Sequence, residues 1–124
     1  MLYALRGSKI DIDFNGKILF IEDIGEKLYH LDRMMQNLRL SGILEQISGL
    51  VVGQFTDMTE GSRPFGQTAY EIIASVTAPY SYPVCFNYPA GHTDLNLPLM
   101  LGQTQQLCVD KTEVTLRALS KAEN

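Results

Sequence analysis

Three observations predict an α/β fold with a mixed sheet. Short apolar runs alternate with two segments of helical period, Gly- and Pro-bearing loops separate them, and two-residue turn signals stand near both ends. The 124 residues suit a single domain over 1–124, with enough chain to bury a core.

The elements follow in order. "KIDIDF" (9–14) alternates Ile10, Ile12 and Phe14 with Lys9, Asp11 and Asp13, the pattern of a half-buried strand. Asn15-Gly16 then signals a two-residue hairpin turn, because both positions tolerate positive φ. "KILFIE" (17–22) reads as the more deeply buried partner strand. From Lys27 to Ile47 the period changes: Leu31, Met34, Met35 and Leu38 fall at helical spacing, and Gly42 ends or kinks that helix. "GLVVGQF" (49–55) is an apolar run between glycines, most simply a central strand, and 57–66 is a polar loop. A second helix spans 67–78, with Tyr70, Ile73 and Thr77 on one face and Pro79 stopping it. "PVCFNY" (83–88) is a strand ended by Pro89. "QTQQLCVD" and "TEVTLRAL" form a closing hairpin around Asp110-Lys111.

Composition removes several classes of function. Hydrophobic residues make up 45% and charged residues 19%, a globular balance. The net charge of −4, with ten basic residues scattered along the chain, argues against nucleic acid or an acidic membrane surface as partner. No apolar run reaches the roughly 20 residues of a membrane span. The N-terminus has no secretory h-region and cleavage site, so a cytoplasmic protein is expected. Cys85 and Cys108 are too few and too far apart for a disulfide framework, and both are expected as buried thiols in strands.

Two places could carry chemistry. "ILFIEDIGE" (18–26) ends a buried strand in Glu22 and Asp23, at the sheet edge where open α/β folds bind ligands. Asp23 and Glu26 could instead cap the helix that begins near Lys27, whereas Glu22 belongs to the strand and needs its own partner if buried. "PAGHTD" (89–94) presents His92 after a flexible Gly91, and histidine is the usual general base near neutral pH. The other histidine, His30, lies among helical positions and reads as a helix-surface residue. Glu22, His92 and Asp94 have spacing compatible with a metal. No HExxH motif or Cys/His cluster accompanies them, so no metal is expected. Gly25 and Gly61 belong to no phosphate-binding pattern, so no cofactor is expected either. A nucleophile is missing too. There is no G-x-S-x-G elbow, Ser41, Ser48 and Ser62 lie at a helix end or in a loop, and Cys85 is mid-strand. The chain offers a base and an acid without the group they would activate.

Three blocks carry a resemblance: "GKILFIEDIGEKLYHLDRMMQNLRLSGIL" (16–44), "GLVVGQFTD" (49–57) and "PVCFNYPAGHTDLNLPLMLG" (83–102). They occur in the order seen in the LD-carboxypeptidases, the serine peptidase family that includes microcin-immunity relatives. Over about residues 1–110 the chain resembles the C-terminal half of those proteins, and "LYALRGS" looks like their junction between halves. The resemblance implies a swivelling β/β/α domain. It also implies that Glu22 and His92 complete a Ser-His-Glu triad whose serine sits on an N-terminal domain absent from these residues. Glu26 is the alternative acid. The implied substrate is the L,D-amide bond of a murein tetrapeptide in cell-wall recycling, and these residues alone are expected to be inactive. Asp32-Arg33 also matches the family and is read as an ion pair or helix-surface feature. The expected partners are the murein peptide, the serine-bearing domain and a second copy in a homodimer. The competing expectation is a non-enzymatic peptide-binding or interaction module of the same fold. A catalytic half-domain should place Glu22 and His92 together on one edge, beside an exposed apolar surface.

Overall fold

The computed structural model describes residues 2–119. A short helix α1 (Leu2–Leu5) precedes β1 (Ile18–Ile24), α2 (Leu28–Leu40), α3 (Ile43–Gln46), β2 (Gly49–Thr56), α4 (Ala69–Thr77) and β3 (Val84–Cys85). The chain closes with β4 (Gln105–Val109) and β5 (Val114–Ala118). β1, β2 and β3 form a parallel sheet with β2 in the middle, and β4 pairs with β5 as an antiparallel hairpin.

Alternation along the strands sorts side chains to two faces. Leu19, Ile21, Leu50 and Val52 turn towards Leu31, Met35 and Leu38 of α2 and Ile72, Ile73 and Val76 of α4. On the other face Ile18, Phe20, Val51 and Cys85 meet Leu107 and Leu116 of the hairpin. The result is three layers, hairpin on sheet on helices, which is the β/β/α order that the resemblance implies. The α/β class holds, with parallel and antiparallel pairing divided between two sheets rather than mixed in one.

The helices form where their period places them. Leu31, Met35 and Leu38 are buried on one face of α2. Gly42, at φ 73°, breaks the helical stretch into α2 and α3. At α4, Thr68 and Glu71 form a capping box: the Thr68 hydroxyl accepts the Glu71 N–H at 3.3 Å and the Glu71 carboxylate accepts the Thr68 N–H at 2.8 Å. The Thr68 N–H and, after it, the Thr68 hydroxyl, which donates to the same carboxylate at 3.0 Å, hold the Glu71 carboxyl below the usual range.

Four local expectations are corrected. Residues 9–14 are not a strand: Ile10 and Ile12 are 70% and 51% exposed, and only Phe14 is buried, beneath the Arg6 guanidinium. Asp11 pairs instead with Arg6 and accepts the Gly7 N–H at 2.9 Å, local bonds that compete with strand pairing. Asn15-Gly16 does turn the chain, with the Lys17 N–H donating to the Phe14 carbonyl at 3.0 Å, but it leads from coil into β1. Regular pairing of "PVCFNY" stops after Cys85, because Asn87 adopts φ 60° and Pro89 has no N–H to give. Cys108 is exposed, since Leu107 takes the inward position on β4, whereas Cys85 is buried as expected.

The capping box makes a specific prediction. Thr68→Ala removes the hydroxyl acceptor and should lower stability by about 1 kcal/mol, read as a shift in urea midpoint with an unchanged slope. An unshifted midpoint would mean the cap is not stabilising α4.

Candidate active site

Glu22 lies near the carboxyl end of β1, on the same face as Ile18 and Phe20. The β1–β2 register there slips: Ile21 pairs with Val52, but Asp23 pairs with Phe55, so Glu22 alone opposes Gly53 and Gln54. A bulge of this kind bends a strand and re-aims side chains, and bulges recur beside active sites.

His92 reaches the same edge on the loop that follows β3. After Asn87 the chain keeps alongside β2: the Tyr88 N–H donates to the Val52 carbonyl and the Gln54 N–H to the Ala90 carbonyl, both at 2.9 Å. This close approach requires Gly53. A Cβ there would stand 2.5 Å from the Ala90 carbonyl oxygen and 2.9 Å from the Phe20 ring. Gly91, at φ 137°, turns the chain where a Cβ would press on Gln54 and the Glu22 carboxylate. Two bonds then close the loop: Leu97 N–H to the Pro89 carbonyl at 2.7 Å, and Gly91 N–H to Asn96 Oδ1 at 3.1 Å.

The two functional candidates meet there. His92 Nδ1 lies 2.9 Å from Glu22 Oε2. Against a carboxylate, which only accepts, Nδ1 is the donor, and a neutral ring then presents its lone pair on Nε2. The imidazole is 55% exposed, against 28% for the Glu22 side chain, and it borders an open pocket lined by Phe20, Ala90, Asn96 and Leu97. The pair can therefore hold an oriented base towards an incoming proton donor.

The remaining candidates lie elsewhere. Glu26 accepts from His30 at 2.9 Å, with Tyr3 edge-on to the His30 ring, so Glu22 and not Glu26 faces His92. The Lys27 N–H and, after it, His30 hold the Glu26 carboxyl below its ordinary range. Among the described residues Asp23 bonds only the adjacent Ile24 N–H at 2.9 Å, and Lys27 caps α2 without a side-chain bond, so neither acid closes that helix as an N-cap. Asp32 accepts from Gln36, and Arg33 lies 4.8 Å from the Tyr29 ring centre, which makes both helix-surface residues. Burial pushes the Cys85 thiol up, away from nucleophilic use. Among the described residues, no three His, Cys, Asp or Glu side chains gather to hold a metal ion. None of the described helices is long and apolar enough to cross a membrane.

Comparison with known proteins gives this geometry its setting. The family described as the LD-carboxypeptidase C-terminal domain matches residues 1–107. The chain belongs to that family. A solved muramoyltetrapeptide carboxypeptidase from Oxalobacter formigenes superposes with a TM-score of 0.82 at 31% identity, covering 94% of this chain and 41% of that one. The probable murein peptide carboxypeptidase of Bacillus subtilis is 26% identical over 122 residues, 98% of this chain and 38% of its own length. The microcin C7 self-immunity protein of Escherichia coli is 27% identical over 105 residues, 82% of this chain and 29% of its own. The chain thus spans little more than a third of the length of the first of its curated relatives.

Gly53, Gln54 and Asn96 went unnoticed in the sequence. A usable signal was present for the first: Gly49, Val51 and Gly53 share one face of an otherwise apolar strand. Small residues at that spacing mark a close approach by another backbone.

Two predictions follow from these contacts. Gly53→Ala should cost about 1–3 kcal/mol in chemical denaturation and displace the loop from Pro89 to His92. Unchanged stability with unchanged His92 resonances would show that the approach is not tight. For Glu26, the depressed folded pKa means its contribution is complete above the ordinary carboxylate range and fades as pH falls through the lower folded value. The urea midpoints of wild type and Glu26→Gln should therefore differ near neutral pH and converge as pH falls through the lowered folded value. A pH-independent gap would exclude the charge as its source.

Proposed function

We propose that this chain supplies the glutamate and histidine of a Ser-His-Glu triad in a serine LD-carboxypeptidase. The reading rests on one observation above all, the 2.9 Å bond from His92 Nδ1 to Glu22 at the carboxyl edge of the sheet. In this mechanism His92 Nε2 takes the proton from a serine hydroxyl as that oxygen attacks the amide carbonyl. It then returns the proton to the leaving amine. Glu22 fixes the tautomer and stabilises the imidazolium while it exists.

The serine comes from a partner domain in this proposal. Ser41 and Ser48 donate to the carbonyls of Asn37 and Gly16, and Ser48 sits at the amino end of β2, opposite the site. Leu95, Leu97, Met100 and Leu101, just beyond His92, are each more than 40% exposed. An apolar stretch of that size beside the site fits a face covered by the serine-bearing domain better than it fits a free-standing binding module. The substrate class is the L,D-amide of a murein tetrapeptide, cleaved to release its terminal D-amino acid. The larger structural likeness, TM-score 0.82, is to a muramoyltetrapeptide carboxypeptidase, against 0.61 for a solved microcin C7 self-immunity protein.

The test joins this chain to the serine-bearing domain of a family member and follows D-amino acid release from the tetrapeptide. His92→Ala should lower kcat by about a thousandfold or more, and Glu22→Gln by about a hundredfold or more, with KM little changed. Retention of kcat within tenfold in His92→Ala would overturn the assignment.

A further inference from the structure

Gln54 lies between the strand that carries Glu22 and the loop that carries His92. It is one of the two β2 residues that oppose Glu22 across the bulge. Its backbone N–H holds the Ala90 carbonyl, two residues before His92. Its half-buried side chain turns to the same loop from beneath: Nε2 lies 3.0 Å from Asn87 Oδ1 and 3.1 Å from the Tyr88 carbonyl. Gly91 packs on it so closely that a Cβ at Gly91 would stand 3.1 Å from that of Gln54. Asn87 Oδ1 also lies 3.4 Å from the Tyr70 hydroxyl of α4, whose single proton is shared with the Gly53 carbonyl at 3.3 Å.

We propose that Gln54 is a positioning residue for His92, its amide donor fixing the left-handed Asn87 corner so that the imidazole meets Glu22. The reason is mechanical. Asn87 is exposed and stands at φ 60°, a left-handed conformation that asparagine tolerates better than most residues, so the corner holds one geometry only as far as its bonds define it. Between that corner and His92 lie Tyr88 to Gly91, where the proline adds no N–H and the glycine adds freedom. Without the Gln54 donor, only main-chain bonds and the weaker Tyr70 contact define where the loop starts. A base misplaced by about 1 Å can lose on the order of a hundredfold in rate. The inference rests on the catalytic reading of His92, and it gives Gln54 no contact with substrate.

The experiment compares three variants of the chain joined to a serine-bearing domain. Gln54→Met keeps the volume and loses the donor, Gln54→Lys keeps a donor, and His92→Ala serves as reference. The expected result for Gln54→Met is a ten- to hundredfold loss of kcat with KM within about twofold, restored within about threefold by Gln54→Lys. In the 124-residue chain itself, ¹⁵N shifts of the His92 ring should report a single Nδ1–H tautomer in wild type and a mixture in Gln54→Met. An unchanged kcat and tautomer in Gln54→Met overturns the inference. So does a kcat loss in both variants that simply tracks a fall in Tm, because that marks a structural role alone. If His92→Ala stays active, the catalytic reading itself fails. If it is dead while Gln54→Met is normal, only the positioning role fails.

Discussion

The site depends on an absent side chain. Gly53 lets the Ala90 carbonyl come down onto β2 and accept the Gln54 N–H, in space that any Cβ would occupy. Because β2 is the central strand, this bond ties the histidine loop to the most buried part of the sheet. Leu50, Val51 and Val52, just ahead of Gly53, are almost fully buried. Alternation along β1 places Glu22 on the face that the same loop covers, opposite the extra residue of β2. Strand pairing, glycine and bulge act at one point, and the pair forms although its members lie 70 residues apart in sequence.

Parts of this were legible because they depend on local pattern. The period of Leu31, Met35 and Leu38, the apolar run of β2 and the closing hairpin each state their own geometry. Residues 9–14 show where such reading fails. Ile10, Ile12 and Phe14 alternate as a strand would, yet they do not pair with the outer edge of β1, and local bonds hold this segment instead. β1 pairs with β2 in parallel, and Asp11 finds its partners in Arg6 and Gly7. A pattern of period two declares which side chains could face one way, not that a second strand is there to receive them.

The site was legible in a different manner. Glu22 and His92 could be proposed as a pair because the sequence left an acid and a base with nothing to activate, and because the flanking blocks matched a family. Their supports were not legible in that way. Gln54, Asn87 and Asn96 are ordinary polar residues whose roles come from tertiary hydrogen bonds, and no spacing rule links position 54 to position 87. Gly53 is intermediate, since its place on the face shared by Gly49 and Val51 hints at close packing without saying what packs.

The exposure of the pair has an energetic meaning. An imidazole–carboxylate contact open to water contributes little, because solvent screens it and each partner keeps much of its hydration. The same contact under a low-dielectric cover is several times stronger. His92 is the more exposed partner, and it borders the pocket followed by the apolar stretch from Leu95 to Leu101. In the proposed assembly, docking of a serine-bearing domain would therefore do two things at once. It would bring the hydroxyl to Nε2, and it would exclude the water that weakens the Glu22 bond. On that view the base becomes effective only when the nucleophile arrives, and the solvent-open pair seen in this chain is the same machinery before its electrostatic environment is completed.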